Sequence, residues 1–357
     1  METREPSNHC APMLPPPLPG NIPPEKTVGI TTTVPMEVIL ASGLIPVDLN
    51  NVFVMAQEPE SLLVEAESSG FPRTSCAWTK GLYGAVHRCG IQRVVGVTQG
   101  DCSNTHALME MLEYEGVECL PFEYPHRPDE NRMQTHIADF ADRFGANLDE
   151  AEEWRIRLQP IRAKTLDIDE QCCKGNRVSG FEDHLWLVST SDFCADADRF
   201  NKEADAFLNC VDDREEMSHP IRLGMAGVPP IVPQCYEYLE DLGARVVYNE
   251  TQRQFAMPEG GTSLAEQYTR FRYPYGIFVR LEDIKRECRR RGLDGLIHYV
   301  QSFCFRRTED RILREELDLP VLTIECDRPG PLSGQLKTRL EAFVQTLQAR
   351  KDGRRIF

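Results

Sequence analysis

From Val28 onward, short apolar runs rich in β-branched residues alternate with longer stretches in which apolar positions recur every three or four residues. The first pattern predicts strands buried on both faces, the second amphipathic helices, and their alternation predicts an α/β protein. In the first half, "VGITT" predicts a strand, "VPMEVILASG" a helix and "LIPVDL" a second strand. A helix through "TKGLYGAVHRCG", the strand "RVVGVT", a helix from "NTHALMEMLEYEG" and the strand "CLPFEY" follow. Gly43, Gly90 and Gly116 stand where helices should end, since glycine alone takes the left-handed cap conformation without strain.

The second half repeats the scheme. "IRLGMAG", "ARVVYNE", "LDGLIHYV" and "PVLTIEC" predict strands, and "PQCYEYLEDLG", "LEDIKRECRRRG", "TEDRILREELD" and "LKTRLEAFVQTLQARK" predict helices. Between the halves, residues 135–218 are polar, acidic and helical in pattern, with no convincing strand. Residues 1–26 hold eight of the 25 prolines and little periodicity, which predicts an extended tail. The expected architecture is α/β. Two doubly wound, parallel-sheet (Rossmann-like) domains, 27–134 and 219–357, are joined by a helical connector, 135–218, behind a Pro-rich tail, 1–26.

Open parallel sheets bind ligands beyond the carboxyl ends of their strands. Cys102 follows the strand "RVVGVT" and Cys304 follows "LDGLIHYV", each just before a helix. Cys76 precedes the helix of "SCAWTKGLYG". A helix start offers unpaired N–H groups and the positive end of the dipole, which favour the metal-binding thiolate. Three such cysteines facing one cleft would suit an iron–sulfur cluster with one open iron. They would also suit a three-ligand zinc, although catalytic zinc usually includes histidine. Each cysteine taken alone is equally read as a small buried hydrophobe.

Composition narrows the choice. Thirteen cysteines is an odd number with irregular spacing and no CxxC, which fits neither a disulfide framework nor a zinc ribbon. Any metal ligands must therefore converge from distant parts of the chain. The net charge of −16 argues against a nucleic-acid partner, because phosphate binding runs on Lys and Arg. The basic run "KRECRRRG" reads as one solvated helix face. No apolar stretch is long enough for a membrane span, and the N-terminus lacks the pattern of a secretory signal, so a cytoplasmic location is expected. There is no GxxxxGK phosphate loop.

The blocks "VPMEVILASGLIPV", "SCAWTKGLYGAV", "VVGVTQGDCSN", "VSGFEDHLWLV", "LEDLGARVVYNE", "LDGLIHYVQSFC" and "PVLTIECDRPGPLSGQLKTRLEAFVQ", in this order, resemble the 2-hydroxyacyl-CoA dehydratase superfamily. That superfamily includes benzoyl-CoA reductase subunits and double-cubane cluster proteins. The resemblance implies a 4Fe-4S cluster held between two α/β domains by three cysteines, which by motif are Cys76, Cys102 and Cys304. It implies one-electron chemistry on an acyl-CoA substrate, in which a thioester carbonyl becomes a ketyl radical that expels the 2-hydroxyl group. It also implies two partners: an ATP-dependent activator carrying its own cluster, and a second subunit that is either a copy or a paralogue.

Other roles rank behind the cysteines. Ser103 and His106 lie within a turn of Cys102 and are candidate catalytic hydrogen-bonders, or plain helix caps. Arg306, Arg307 and Asp327 are candidate substrate-binding residues, the arginines toward CoA phosphates; ion pairs and a turn are the plainer alternatives. The sequence departs from the family in placing acidic Asp101 before Cys102 rather than after it, and in placing Arg306 and Arg307 where an acidic residue is common. A double-cubane 8Fe-9S reductase would need further ligands from Cys89, Cys119, Cys194, Cys235 or Cys326. A non-catalytic electron-transfer or scaffold protein is the third reading. Adjacent Cys172 and Cys173 are poor ligands for one metal, and Cys10 lies in the tail.

Overall fold

The computed structural model describes residues 22–353. Most of the expected Pro-rich tail, with Cys10, lies outside the described residues. The first unit comprises β1 (Thr27–Ile30), α1 (Met36–Ala41), β2 (Ile45–Asp48), α2 (Leu49–Val54), α3 (Pro59–Ser68), α4 (Ala77–Cys89), β3 (Arg93–Gln99), α5 (Asn104–Tyr114) and β4 (Glu118–Glu123). Its strands form a parallel sheet of order β2-β1-β3-β4. Four helices follow: α6 (Glu130–Phe144), α7 (Leu148–Glu170), α8 (Gly180–Val188) and α9 (Ala197–Asp212).

The second unit comprises β5 (Ile221–Gly227), α10 (Gln234–Asp241), β6 (Ala244–Asn249), α11 (Glu250–Phe255), α12 (Leu264–Arg270), α13 (Ile277–Arg291), β7 (Gly295–Val300), α14 (Asp310–Glu316), β8 (Val321–Glu325) and α15 (Gly334–Lys351). Its parallel sheet has order β6-β5-β7-β8, the same order as the first. Every strand read from the sequence is present. Four short helices, α2, α3, α11 and α12, escaped that reading, because runs as brief as Glu250–Phe255 carry too little periodicity.

The four intermediate helices are more than a connector. α6 begins at Glu130, ahead of the expected boundary, and packs on α12 of the second unit. α7 packs on α1, and α8 on α11 and β6. The apolar core follows the same plan. One cluster joins Phe53, Leu62, Leu63 and Ala77 of the first unit to Ile221, Leu223, Tyr236 and Leu340 of the second. Another joins Val28, Val95 and Phe122 to Phe255, Tyr268 and Phe271.

The basic run at the end of α13 is not one solvated face. Arg291 is fully buried and donates Nη1 to Asp169 Oδ1 of α7 at 2.7 Å and Nε to Glu287 Oε2 at 2.9 Å. A guanidinium that deep persists because two carboxylates offset its desolvation.

Candidate active site

In each sheet the chain runs outward on one side of the first strand and resumes on the other. The reversal falls between β1 and β3 in the first unit and between β5 and β7 in the second. Both reversal points open onto one cavity with about 940 Å³ of empty space, part of it continuous with solvent. The first sheet contributes Thr31 and Thr32 after β1, Asp48 at the end of β2, and Asp101 and Cys102 after β3. The second contributes Val228 and Pro229 after β5, and Gln301, Cys304 and Arg306 after β7. Cys76, Trp78 and Thr79 come from the start of α4.

All three selected cysteines thus line the same cavity, and all are free and half-buried. Cys76 is the N-cap residue of α4; its thiol donates to Gln301 Oε1 at 3.0 Å, and the nearby N–H groups of Trp78 and Thr79 favour the charged sulfur. Cys102 lies one residue before the α5 cap; its carbonyl accepts from Thr105 N–H at 3.1 Å, and the nearby N–H groups of Asn104 and Thr105 favour the charged sulfur. Cys304 caps the 3-10 turn Phe305–Glu309. The second unit offers Gly276 at the N-cap of α13, the position that Cys76 holds at α4. That is why the count is two cysteines plus one.

Helix starts alone do not make thiolates of Cys76 and Cys102. Burial pushes Cys76 up from its ordinary value, and burial followed by the neighbouring Asp101 charge pushes Cys102 up to about 12. Desolvation outweighs the N–H groups until a cation arrives to balance the charge. Among the described residues no three His, Cys, Asp or Glu side chains converge tightly enough to hold a single metal ion. Three thiols around one cavity, two of them at or beside the start of a helix, are a donor set of the kind an iron–sulfur cluster would use.

The approach to Cys102 is shaped by Gly100. Its φ of +104° belongs to glycine, and a Cβ there would lie 2.7 Å from Pro274 Cβ of the second unit. Asp101 is turned inward, accepting from Cys102 N–H at 2.8 Å and from Thr105 Oγ1 at 3.2 Å. Burial holds its carboxyl above the ordinary range.

The remaining predicted residues divide. Arg306 lines the cavity, 3% exposed. It donates Nη2 to Tyr273 O at 3.0 Å and stacks over the Tyr273 ring at 4.7 Å, while its Nη1 has no hydrogen-bond partner and pairs with Glu309 Oε1 at 3.7 Å. Arg307 points away and pairs with Glu325 at 2.5 Å. Asp327 takes Ser302 N–H and Oγ, both at 2.7 Å, and pins the turn after β7. Ser103 is exposed at the α5 cap and makes no capping bond with its side chain, and exposed His106 contacts Thr98 O through Nε2 at 2.9 Å. Neither Ser103, His106, Arg307 nor Asp327 is among the residues lining the cavity.

Several lining residues were not read from the sequence. Asp48 lines the cavity and, with Asp192, which does not, forms a buried acidic pair in which Asp48 N–H donates to Asp192 Oδ2 at 2.6 Å; burial first, then mutual repulsion, raises the Asp192 carboxyl, and burial raises that of Asp48. His184 is kept neutral, since burial drives its pKa down to about 3. Asn50, Asn51 and Gln301 complete the polar wall. Thr31, Asp48 and Gln301 each sit at or just past a strand end, and the strand-end rule would have found them had it been applied to every strand.

A search of curated proteins returns no match. A family model for the 2-hydroxyglutaryl-CoA dehydratase D-component matches residues 31–347, which include β2 to β4 of the first sheet, all of the second sheet, the helices between them and all three cavity cysteines. The chain belongs to the 2-hydroxyglutaryl-CoA dehydratase D-component family.

Proposed function

We propose that this chain is the iron–sulfur subunit of a 2-hydroxyacyl-CoA dehydratase-like enzyme, with Cys76, Cys102 and Cys304 holding a 4Fe-4S cluster. The observation that carries the reading is the convergence of three cysteines from two sheets on one cavity at both topological reversal points. When bound, such a cluster supplies a low-potential electron to a thioester carbonyl.

The residues around it have definable work. Backbone N–H groups at Trp78, Thr79, Asn104 and Thr105 stabilise the sulfurs as thiolates once iron balances their charge. Arg306, whose Nη1 lacks a hydrogen-bond partner, receives the carboxylate or carbonyl end of the acyl group. The Asp48–Asp192 pair, having no cation among its hydrogen-bond partners, retains a proton beside the cavity, which Asp48 lines. His184 serves as a neutral hydrogen-bonding group. The ATP-driven electron supply belongs to a separate activator, and the second subunit is a copy or a paralogue.

None of Cys89, Cys119, Cys194, Cys235 and Cys326 lines the cavity, so the double-cubane alternative gains no support. The deciding test is iron and acid-labile sulfide per chain, with EPR, on protein purified without oxygen. About four irons, lost when any one of the three cysteines becomes alanine, are expected. About eight irons, zinc alone or no metal would overturn the reading.

A further inference from the structure

Gln301 is the last residue before the turn that carries Cys304, and its side chain crosses to the other unit. Its Oε1 accepts from Ala77 N–H at 3.0 Å and from the Cys76 thiol at 3.0 Å. Its backbone carbonyl accepts from Cys304 N–H at 3.1 Å. One residue therefore ties the start of α4 in the first unit to the cysteine turn of the second. The tie is buried, with Gln301 1% exposed.

The other end of that amide is unused. Gln301 Nε2 is buried and has no hydrogen-bond partner, although Gln301 lines the cavity. A buried amide donor left without a partner is destabilising, so its retention asks for an acceptor. Ala77 N–H holds Oε1 in place after the Cys76 proton has left, which keeps the N–H pair as the free end. The acceptors expected there are sulfurs, because the cavity gathers three thiols while its carboxyls, Asp48 and Asp101, already accept from Asn50, Cys102 N–H and Thr105.

We propose that Gln301 is a positioning residue for the cysteine-held cluster: Oε1 fixes Cys76 relative to Cys304, and Nε2 donates a hydrogen bond to a cluster or cysteinyl sulfur. This rests on the cluster reading above. A donor to sulfur stabilises the more negative, reduced state, so it raises the reduction potential. A purely structural strut would leave the potential where it was.

The test compares wild type, Gln301→Met and Gln301→Glu, each purified anaerobically, by iron and sulfide content and by an EPR-monitored redox titration. Methionine keeps the length and removes the donor; glutamate keeps an acceptor for Ala77 N–H and removes the donor. The expected result is wild-type iron content with a midpoint at least 59 mV more negative in both variants, a tenfold change in the oxidised-to-reduced ratio for one electron. Unchanged midpoints at full iron content would overturn the donor role. Iron lost from Gln301→Met but kept at the wild-type midpoint in Gln301→Glu would also overturn it, leaving a strut. A wild-type protein that assembles no cluster would instead sink the reading on which the inference stands.

Discussion

Gly100 carries a constraint that no other residue at its position would meet. The chain leaves β3 with φ +104° and passes so close to the second unit that an added Cβ would meet Pro274 Cβ at 2.7 Å and Tyr124 Cβ at 3.0 Å. Both the left-handed backbone and the overpacking oppose a side chain there. Gly100→Ala is expected to cost about 2 to 5 kcal/mol, measured by urea unfolding. A loss below about 1 kcal/mol would mean the turn relaxes freely and does not fix Cys102. The cysteines were legible in the sequence because a thiol after a strand and before a helix is a local pattern. The polar wall was not, because His184 comes from a helix with no such signature and reaches the cavity only through packing. The roles foreseen for Ser103 and His106 rested on proximity to Cys102 along the chain. Residues one and four positions past Cys102 stand on exposed parts of the turn and helix, while Thr105, three past it, faces in.

At the scale of elements, α13 is held by charge as much as by apolar contact. Glu287, 2% exposed, accepts from Arg291 Nε and Arg290 Nε, and lies 3.8 Å from Arg253 Nη2. Burial alone would raise this carboxyl, but Arg253 and Arg291 outweigh it and hold the pKa down at about 2, against an ordinary 4.5. A depressed carboxylate contributes stability that is whole above the unfolded value and is lost as pH falls toward the folded one. The expected window is therefore pH 4.5 down to about 2. At about 1.4 kcal/mol for each pH unit between the two values, the contribution is of order 3 kcal/mol. Glu287→Gln should lose stability at pH 7 and flatten the acid limb of a stability–pH curve measured by urea unfolding. An unchanged limb would show that other carboxylates, Asp310 among them, govern acid unfolding. The basic run in α13 reads as surface in the sequence because its acidic partner Asp169 lies on α7, more than a hundred residues earlier.

The whole molecule has two sheets of identical strand order, which invites a picture of two independent domains, yet its cores are shared. Phe53, Leu62 and Leu63 are buried with residues of the second sheet, and Phe255, Tyr268 and Phe271 with residues of the first. Glu37 of α1, fully buried, accepts from Arg162 of α7 at 2.9 Å and from Gln267 and Tyr268 of α12 at 3.0 and 2.6 Å, joining three parts of the chain at one carboxylate. A cavity that needs both reversal points also needs the two units held in fixed relation, and these contacts supply it. Unfolding should therefore be one cooperative event. Tryptophan fluorescence, reporting on Trp78, Trp154 and Trp186 of the first unit and the intermediate helices, should trace the same urea transition as far-UV circular dichroism, which reports on both units. Glu37→Ala strands Arg162, whose Nε and Nη1 are already without hydrogen-bond partners, and should lower both transitions together by about 3 to 5 kcal/mol. Separate midpoints for the two probes, or a variant that shifts only one, would show that the units fold independently and that the cavity is assembled by docking rather than by folding.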